Sequence, residues 1–192
     1  MKKILIINGN PHKDSFCHGL ADAYEEGAKK SRAEVKRIDL ADLKFDPILH
    51  EGYHIIQSLE PDLLSSQEAI RWADHLVFVF PVWWMASPAL MKGFFDRIFL
   101  PGFAFKYHQG YPFLEKLLKG RSARLIVTMD SHPLLNLLLY RTNGYKALAN
   151  GALGFCGIKP VKKTVFGLVK YLSESKRKKL ISQVEKLGEK NA

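Results

Sequence analysis

Five short apolar runs rich in β-branched residues, each followed by a segment of helical period, constrain this 192-residue chain more than any other feature. They fall at 3–8, 34–40, 75–81, 124–129 and 161–166, and their near-continuous apolar character is that of strands covered on both faces. Between the first two, Phe16, Leu20, Ala23, Tyr24, Gly27 and Ala28 fall on one face of a helix predicted over 15–31, with Asp14 or Ser15 available as N-cap. Segments 61–72, 88–99 and 145–155 fit crossover helices, and 173–187 closes the chain. Parallel neighbours need long crossovers, so this alternation predicts an α/β three-layer sandwich around a five-stranded parallel sheet. The order 2-1-3-4-5 suits five such strands, although spacing alone does not fix it. A chain of this length supports one full-sized core, so a single domain over 1–192 is expected.

Composition narrows the function classes. No apolar run approaches the roughly 18–20 residues that cross a bilayer, and the longest, 75–85, contains Pro81. No secretory leader is legible either, so a cytoplasmic protein is expected. Cys17 and Cys156 are too few for a disulfide framework or a thiolate zinc site, and read as packed thiols. The net charge of +10 is concentrated late: residues 157–192 hold ten Lys or Arg against three Glu. Its densest part, Lys176-Arg177-Lys178-Lys179, precedes the apolar stripe Leu180, Val184 and Leu187, the pattern of a solvated helix face. A nucleic-acid partner is therefore not expected.

In an open α/β sheet, ligands sit beyond the carboxyl ends of the strands where the order reverses. After the first strand, Gly9-Asn10-Pro11-His12-Lys13-Asp14-Ser15 runs straight into a helix, whose unpaired amides and dipole suit a phosphate as well as they suit an ordinary capped turn. Neither the phosphate loop of nucleotide hydrolases nor the G-x-G-x-x-G dinucleotide loop is present. After the third strand, Pro81-Val82-Trp83-Trp84-Met85 places two adjacent tryptophans between prolines. Both cannot face one buried side, so part of this surface is expected to line a crevice. A second aromatic cluster, 103–111, suggests a pocket wall or a subunit contact.

These residues carry a family resemblance. Ser15-Phe16, the block from Pro81-Val82-Trp83-Trp84 through Pro88-Ala89-Leu90-Met91-Lys92-Gly93-Phe94-Phe95-Asp96-Arg97, and Gly102-Phe103-Ala104-Phe105 resemble the NAD(P)H:quinone oxidoreductases of the DT-diaphorase type. Phe45-Asp46-Pro47 and Phe155-Cys156-Gly157 extend the resemblance over nearly the whole chain. It implies a flavodoxin-like fold, bound FMN or FAD, and homodimers with the active site shared at the interface. FMN is favoured by the short chain; NADH and NADPH stay open as donors. The implied activity is two-electron hydride transfer from NAD(P)H through the flavin to a quinone-like acceptor. The family also includes regulatory flavoprotein subunits of potassium efflux systems, which is the alternative role.

Position by position, the resemblance assigns Asn10, Ser15, Phe16 and Cys17 to the flavin phosphate or ribityl chain. Pro81, Val82, Trp83, Trp84 and Met85 are assigned to the isoalloxazine, with Trp84 packing on the ring. Phe105 and Tyr107 take the positions of aromatics that cover the substrate, so Trp84, Phe105 and Tyr107 are the candidate catalytic set. Thr128-Met129-Asp130-Ser131 stands where relatives carry Thr-Thr-Gly-Gly. Its backbone can still donate, but a carboxylate at Asp130 would oppose negative charge on a reduced ring unless it points away. His132 and Tyr140 have no certain counterparts. One motif points elsewhere: His50-Glu51-Gly52-Tyr53-His54 matches H-E-x-x-H, which binds zinc on a helix. Pro47 nearby and Gly52 inside argue against that helix, and no metal is expected.

Overall fold

The computed structural model describes residues 1–108, 114–140 and 144–191. In chain order the strands are β1 (Lys3–Asn8), β2 (Glu34–Asp39), β3 (His75–Pro81), β4 (Phe105–Tyr107), β5 (Leu114–Lys116), β6 (Ser122–Thr128) and β7 (Val161–Phe166). The helices are α1 (Phe16–Lys30), α2 (Pro61–Trp72), α3 (Ala89–Ile98), α4 (Pro133–Tyr140), α5 (Gly144–Lys146), continued by a π-helical stretch over Ala147–Leu153, and α6 (Glu174–Glu189). The main sheet is parallel throughout, in the order β2-β1-β3-β6-β7. That is the expected 2-1-3-4-5 once the separate antiparallel hairpin β4-β5 is set aside. The hairpin escapes sequence reading because three-residue strands are too short to establish an alternation.

Side chains of successive strand residues point to opposite faces, and each face carries its own core. Leu5, Ile7, Leu76, Phe78, Phe80, Leu125 and Val127 pack with α2, α3 and the π-helical stretch. Ile4, Ile6, Val77, Val79 and Ile126 pack with α1 and α6. On that second face α1 and α6 meet backbone to backbone. A Cβ on Gly27 would lie 1.9 Å from Glu185 O, and one on Gly188 would lie 2.3 Å from Tyr24 O. Glycine costs each helix about 1 kcal/mol, and close packing of the two helices is what it permits here.

His75 opens β3 in a buried position, with Nδ1 2.8 Å from Ser122 Oγ and Nε2 without a partner. Burial, reinforced by Lys2, Arg124 and Lys162, pushes its pKa down to about 3. The unfolded chain protonates this ring near pH 6.5, whereas the native chain holds it neutral. Unfolding therefore takes up a proton between these values, and stability falls with pH by up to about 1.4 kcal/mol per unit. Urea unfolding at pH 7 and pH 5 is expected to differ by about 2 kcal/mol more in the wild type than in His75→Asn. Equal pH dependence in both would contradict this assignment.

Candidate active site

The carboxyl ends of β1, β3 and β6 lie side by side at the point where the strand order reverses. At the first, Asn8 is buried and its carboxamide is engaged at both ends. Nδ2 donates to Asp39 Oδ1 at 2.9 Å and to His18 Nδ1 at 3.3 Å, while Oδ1 accepts from the Asn10 N–H at 3.2 Å. Asn10 repeats the motif two residues on, its Oδ1 accepting from the His12 N–H at 2.9 Å. Two successive bonds of this kind fold the loop locally. Ser15 then caps α1 by accepting from the His18 N–H at 3.3 Å. The Phe16 and Cys17 N–H groups are left at the positive end of the helix, with no acidic side chain in its first turn. Cys17 Sγ lies 3.2 Å from Thr128 Oγ1 and also bonds Asn10, and burial pushes its thiol pKa up. It joins the ends of β1 and β6 rather than serving as a nucleophile. The Arg177 guanidinium stacks over Phe16 at 5.2 Å, a cation invisible in local sequence because it comes from α6.

After β3 the backbone does something costly. The Trp83 N–H donates to Ala86 O and the Ala86 N–H to Trp83 O, both at 2.9 Å, closing a two-residue turn. Its central residues, Trp84 and Met85, have φ of 47° and 63°. Such turns are ordinarily Asn-Gly, and a side chain in the left-handed region costs roughly 1–2 kcal/mol. The turn holds the Trp84 ring out from the protein, fully exposed. Val82 N–H donates to Thr128 O at 2.8 Å, locking this loop to the next.

After β6, Met129 is buried and its N–H donates to Phe166 O. Among the described residues, the N–H groups of Asp130 and Ser131 have no backbone acceptor. The Asp130 carboxylate accepts from the Lys170 N–H at 2.9 Å, so it is engaged by the turn after β7. The sequence reading missed Asn136. This α4 residue is 3% exposed, and its Nδ2 reaches Ser131 Oγ (2.9 Å), Met85 Sδ (3.6 Å) and Met129 Sδ (3.9 Å), tying the two loops together. Its Oδ1 is buried without a partner. No motif announces a lone Asn in a leucine-rich stretch.

Beside these loops, between α3 and the π-helical stretch, opens a cavity of about 1200 Å³. Trp83, Trp84, Met85, Phe105 and Phe155 give it aromatic and apolar walls. Asn10, Ser15, Phe16 and Cys17 do not line it, and neither do Pro81, Val82, Thr128, Met129, Asp130 and Ser131. Phe105 is buried, edge-on to Tyr107 at 5.3 Å and to Phe155 at 5.2 Å, whereas Tyr107 is largely exposed. Gln109, Gly110, Tyr111 and the side chain of Tyr140, singled out in sequence, lie outside the described residues. His50, Glu51 and His54 occupy turns rather than a helix, and His50 Nε2 pairs with Asp46 Oδ2 at 2.7 Å. Tyr53 of that segment reaches the cavity wall. The loop is held by Arg97, fully buried, which donates to Glu60 Oε2 (2.9 Å), Ser58 O (2.8 Å) and Asp46 O. Against the burial that would raise it, hydrogen bonds from the Asp46 N–H and Arg97 hold the Glu60 carboxyl below the usual range.

A family model described as the flavodoxin-like fold matches residues 2–189. The chain belongs to this flavodoxin-like family. Its relatives in the family include an uncharacterized NAD(P)H oxidoreductase of Haemophilus influenzae, 31% identical over 92% of this chain and 89% of that protein. NAD(P)H dehydrogenase [quinone] 1 of Cavia porcellus is 29% identical over 82% of this chain; the match spans 65% of that longer protein, just under two thirds. Among solved structures, Smu.1420 of Streptococcus mutans superposes with a TM-score of 0.83 at 30% identity, covering 98% of this chain and 99% of its own. An FMN-dependent NADH-azoreductase of Bacillus anthracis, in complex with FMN, shares the fold at 20% identity and a TM-score of 0.76, over the full length of both chains.

Proposed function

We propose that this flavodoxin-like protein is an NAD(P)H:quinone oxidoreductase that works with bound FMN. The observation that carries the reading is the strained turn at Trp84 and Met85, which presents a free aromatic face on an apolar cavity at the switch point of the sheet. The residues present fit the cofactor at both ends. The α1 terminus offers the Phe16 and Cys17 N–H groups to a phosphate, with Ser15 and Asn10 beside them. The Trp84 face and the Met85 side chain suit a flat heteroaromatic ring, and the N–H groups of Asp130 and Ser131 suit its polar edge. The Asp130 carboxylate accepts from the Lys170 N–H, which directs it toward the turn after β7.

FMN, when bound, would supply two-electron chemistry between a nicotinamide donor and a quinone acceptor. The residues of the chain bind, orient and keep the slot dry. The cavity exceeds the roughly 300–1,000 Å³ of an ordinary small-molecule pocket, which leaves space for donor and acceptor to take turns over one ring. Phe105 lines its wall with Tyr107 edge-on behind it, and a second copy of the chain would close the open side. No side chain need act as nucleophile, in keeping with the raised thiol of Cys17 and with Cys156, pushed up to about 11 by burial. Multiple turnover of NADPH or NADH with a water-soluble benzoquinone, dependent on added FMN, is the expected result. Protein that binds FMN yet oxidises neither nicotinamide would overturn the enzymatic reading.

A further inference from the structure

We propose that the face formed by α4, the turn at 168–171 and the N-terminal half of α6 docks on an anionic membrane surface. The use made of this docking, access to quinones dissolved in the bilayer, rests on the quinone reductase reading above. The first observation is that α4 is inside out. Its sequence, PLLNLLLY, holds no charge. The polar Asn136 is buried at 3% exposure, whereas Leu134, Leu135 and Leu138 are 59%, 54% and 67% exposed. At 100° per residue those three leucines share one arc of the helix and Asn136 lies opposite. A helix that turns Asn136 inward and Leu134, Leu135 and Leu138 outward presents an apolar surface suited to being covered.

The second observation concerns the rim. Pro133 packs so closely on Gly167 that a Cβ there would lie 2.2 Å from Pro133 Cδ, and the Leu168 N–H reaches Ser131 O. The 168–171 turn therefore flanks α4, adding exposed Leu168 and Tyr171 to the apolar surface. Arg177 donates to Val169 O at 2.7 Å and to Leu172 O at 3.4 Å, drawing the start of α6 against the same turn. Lys170, Lys176, Lys178 and Lys179 are exposed there. Glu174 pairs with Lys178 at 2.7 Å, and Asp130 keeps its charge while accepting from the Lys170 N–H, so the exposed lysines Lys170, Lys176 and Lys179 leave the rim cationic. Leucines bordered by lysines are the pattern of a helix lying in a lipid interface, with apolar side chains below the headgroups and cations among them. A second copy of the same face would set like charges opposite one another. Asn136 ties α4 to Met85, a residue of the cavity wall, so α4 packs on the loop that borders the cavity and turns Leu134, Leu135 and Leu138 away from it.

The full-length protein would be sedimented with vesicles of phosphatidylcholine containing about 30% phosphatidylglycerol, and with phosphatidylcholine alone, at low and high salt. Binding to the anionic vesicles is expected, weakened by salt. A variant carrying Leu134→Gln, Leu135→Gln and Leu138→Gln should bind at least tenfold more weakly, as should Lys170→Gln with Lys176→Gln and Lys179→Gln. Turnover of a water-soluble benzoquinone, read on the same preparations, should survive the leucine changes, while turnover of a long-chain quinone embedded in the vesicles should fall. Wild-type protein that ignores anionic vesicles, or a leucine variant that binds them undiminished, would overturn docking. So would leucine changes that only convert a larger species to a smaller one in sedimentation velocity. Failure to reduce even the soluble quinone would refute the enzymatic reading, and the vesicle result would stand apart from it.

Discussion

Replacing Trp84 with alanine is expected to weaken FMN retention about tenfold to a hundredfold, in line with the roughly 1–3 kcal/mol that aromatic side chains contribute by stacking on a flat heterocyclic base. His50→Ala should stay within twofold of wild type, because His50 pairs with Asp46 in an exposed turn and does not line the cavity. A second substitution separates binding from strain. Trp84 sits at φ 47° with its ring wholly exposed, so the free protein gains little from the side chain and bears a left-handed backbone that glycine adopts freely. Trp84→Gly should therefore raise the stability of the FMN-free protein by about 1 kcal/mol while losing FMN as Trp84→Ala does. Fluorescence titration with FMN and urea unfolding give the two readouts. Unchanged FMN affinity in both variants would remove Trp84 from the site.

The Arg97→Ala variant is expected to lose about 3 kcal/mol of stability, the scale for removing one partner of a buried ion pair. The guanidinium is wholly buried and binds two main-chain carbonyls as well as Glu60, so alanine would strand acceptors that water does not easily reach. Lysine should recover less than half, because a single ammonium cannot reproduce a planar fork of donors. The consequence reaches the cavity, since the 46–60 loop that Arg97 pins carries Tyr53 to its wall. Urea denaturation monitored by tryptophan fluorescence measures the loss. A change below about 1 kcal/mol would mean that the loop is held by its apolar contacts instead.

What was legible in the sequence was what repeats. β1 and β3 coincide with the runs at 3–8 and 75–81 because continuous burial leaves a nearly unbroken apolar signature; β7 and α2 coincide with 161–166 and 61–72, although Lys162 and Lys163 of β7 are exposed. β6 begins two residues before the expected 124, since Ser122 and Ala123 pair with their neighbours without being β-branched. α4 was not foreseen as a helix, because the outward Leu134, Leu135 and Leu138 and the inward Asn136 invert the pattern that betrays a surface helix.

At the site, the loops were readable from their place at the ends of strands, and the tryptophan pair from its crowding. The conformation that makes Trp84 available was not. Nothing in Trp-Met suggests a turn normally made by Asn-Gly, and such strain is expressed only where the surrounding structure enforces it. Asn136, Arg97 and Arg177 were equally hidden: each acts on residues distant in sequence, through contacts that the folded sheet alone creates. Asp130 illustrates the converse. Its charge stood out in sequence as an obstacle, and the Lys170 N–H that engages it comes from beyond β7.

The most direct measurement is the visible spectrum of the purified protein after incubation with FMN and removal of the excess, followed by NADPH without oxygen and then by a quinone. The account predicts flavin bands that persist through gel filtration, bleach on NADPH and return on the quinone. Protein that emerges colourless, or whose bands ignore the nicotinamide, would contradict it.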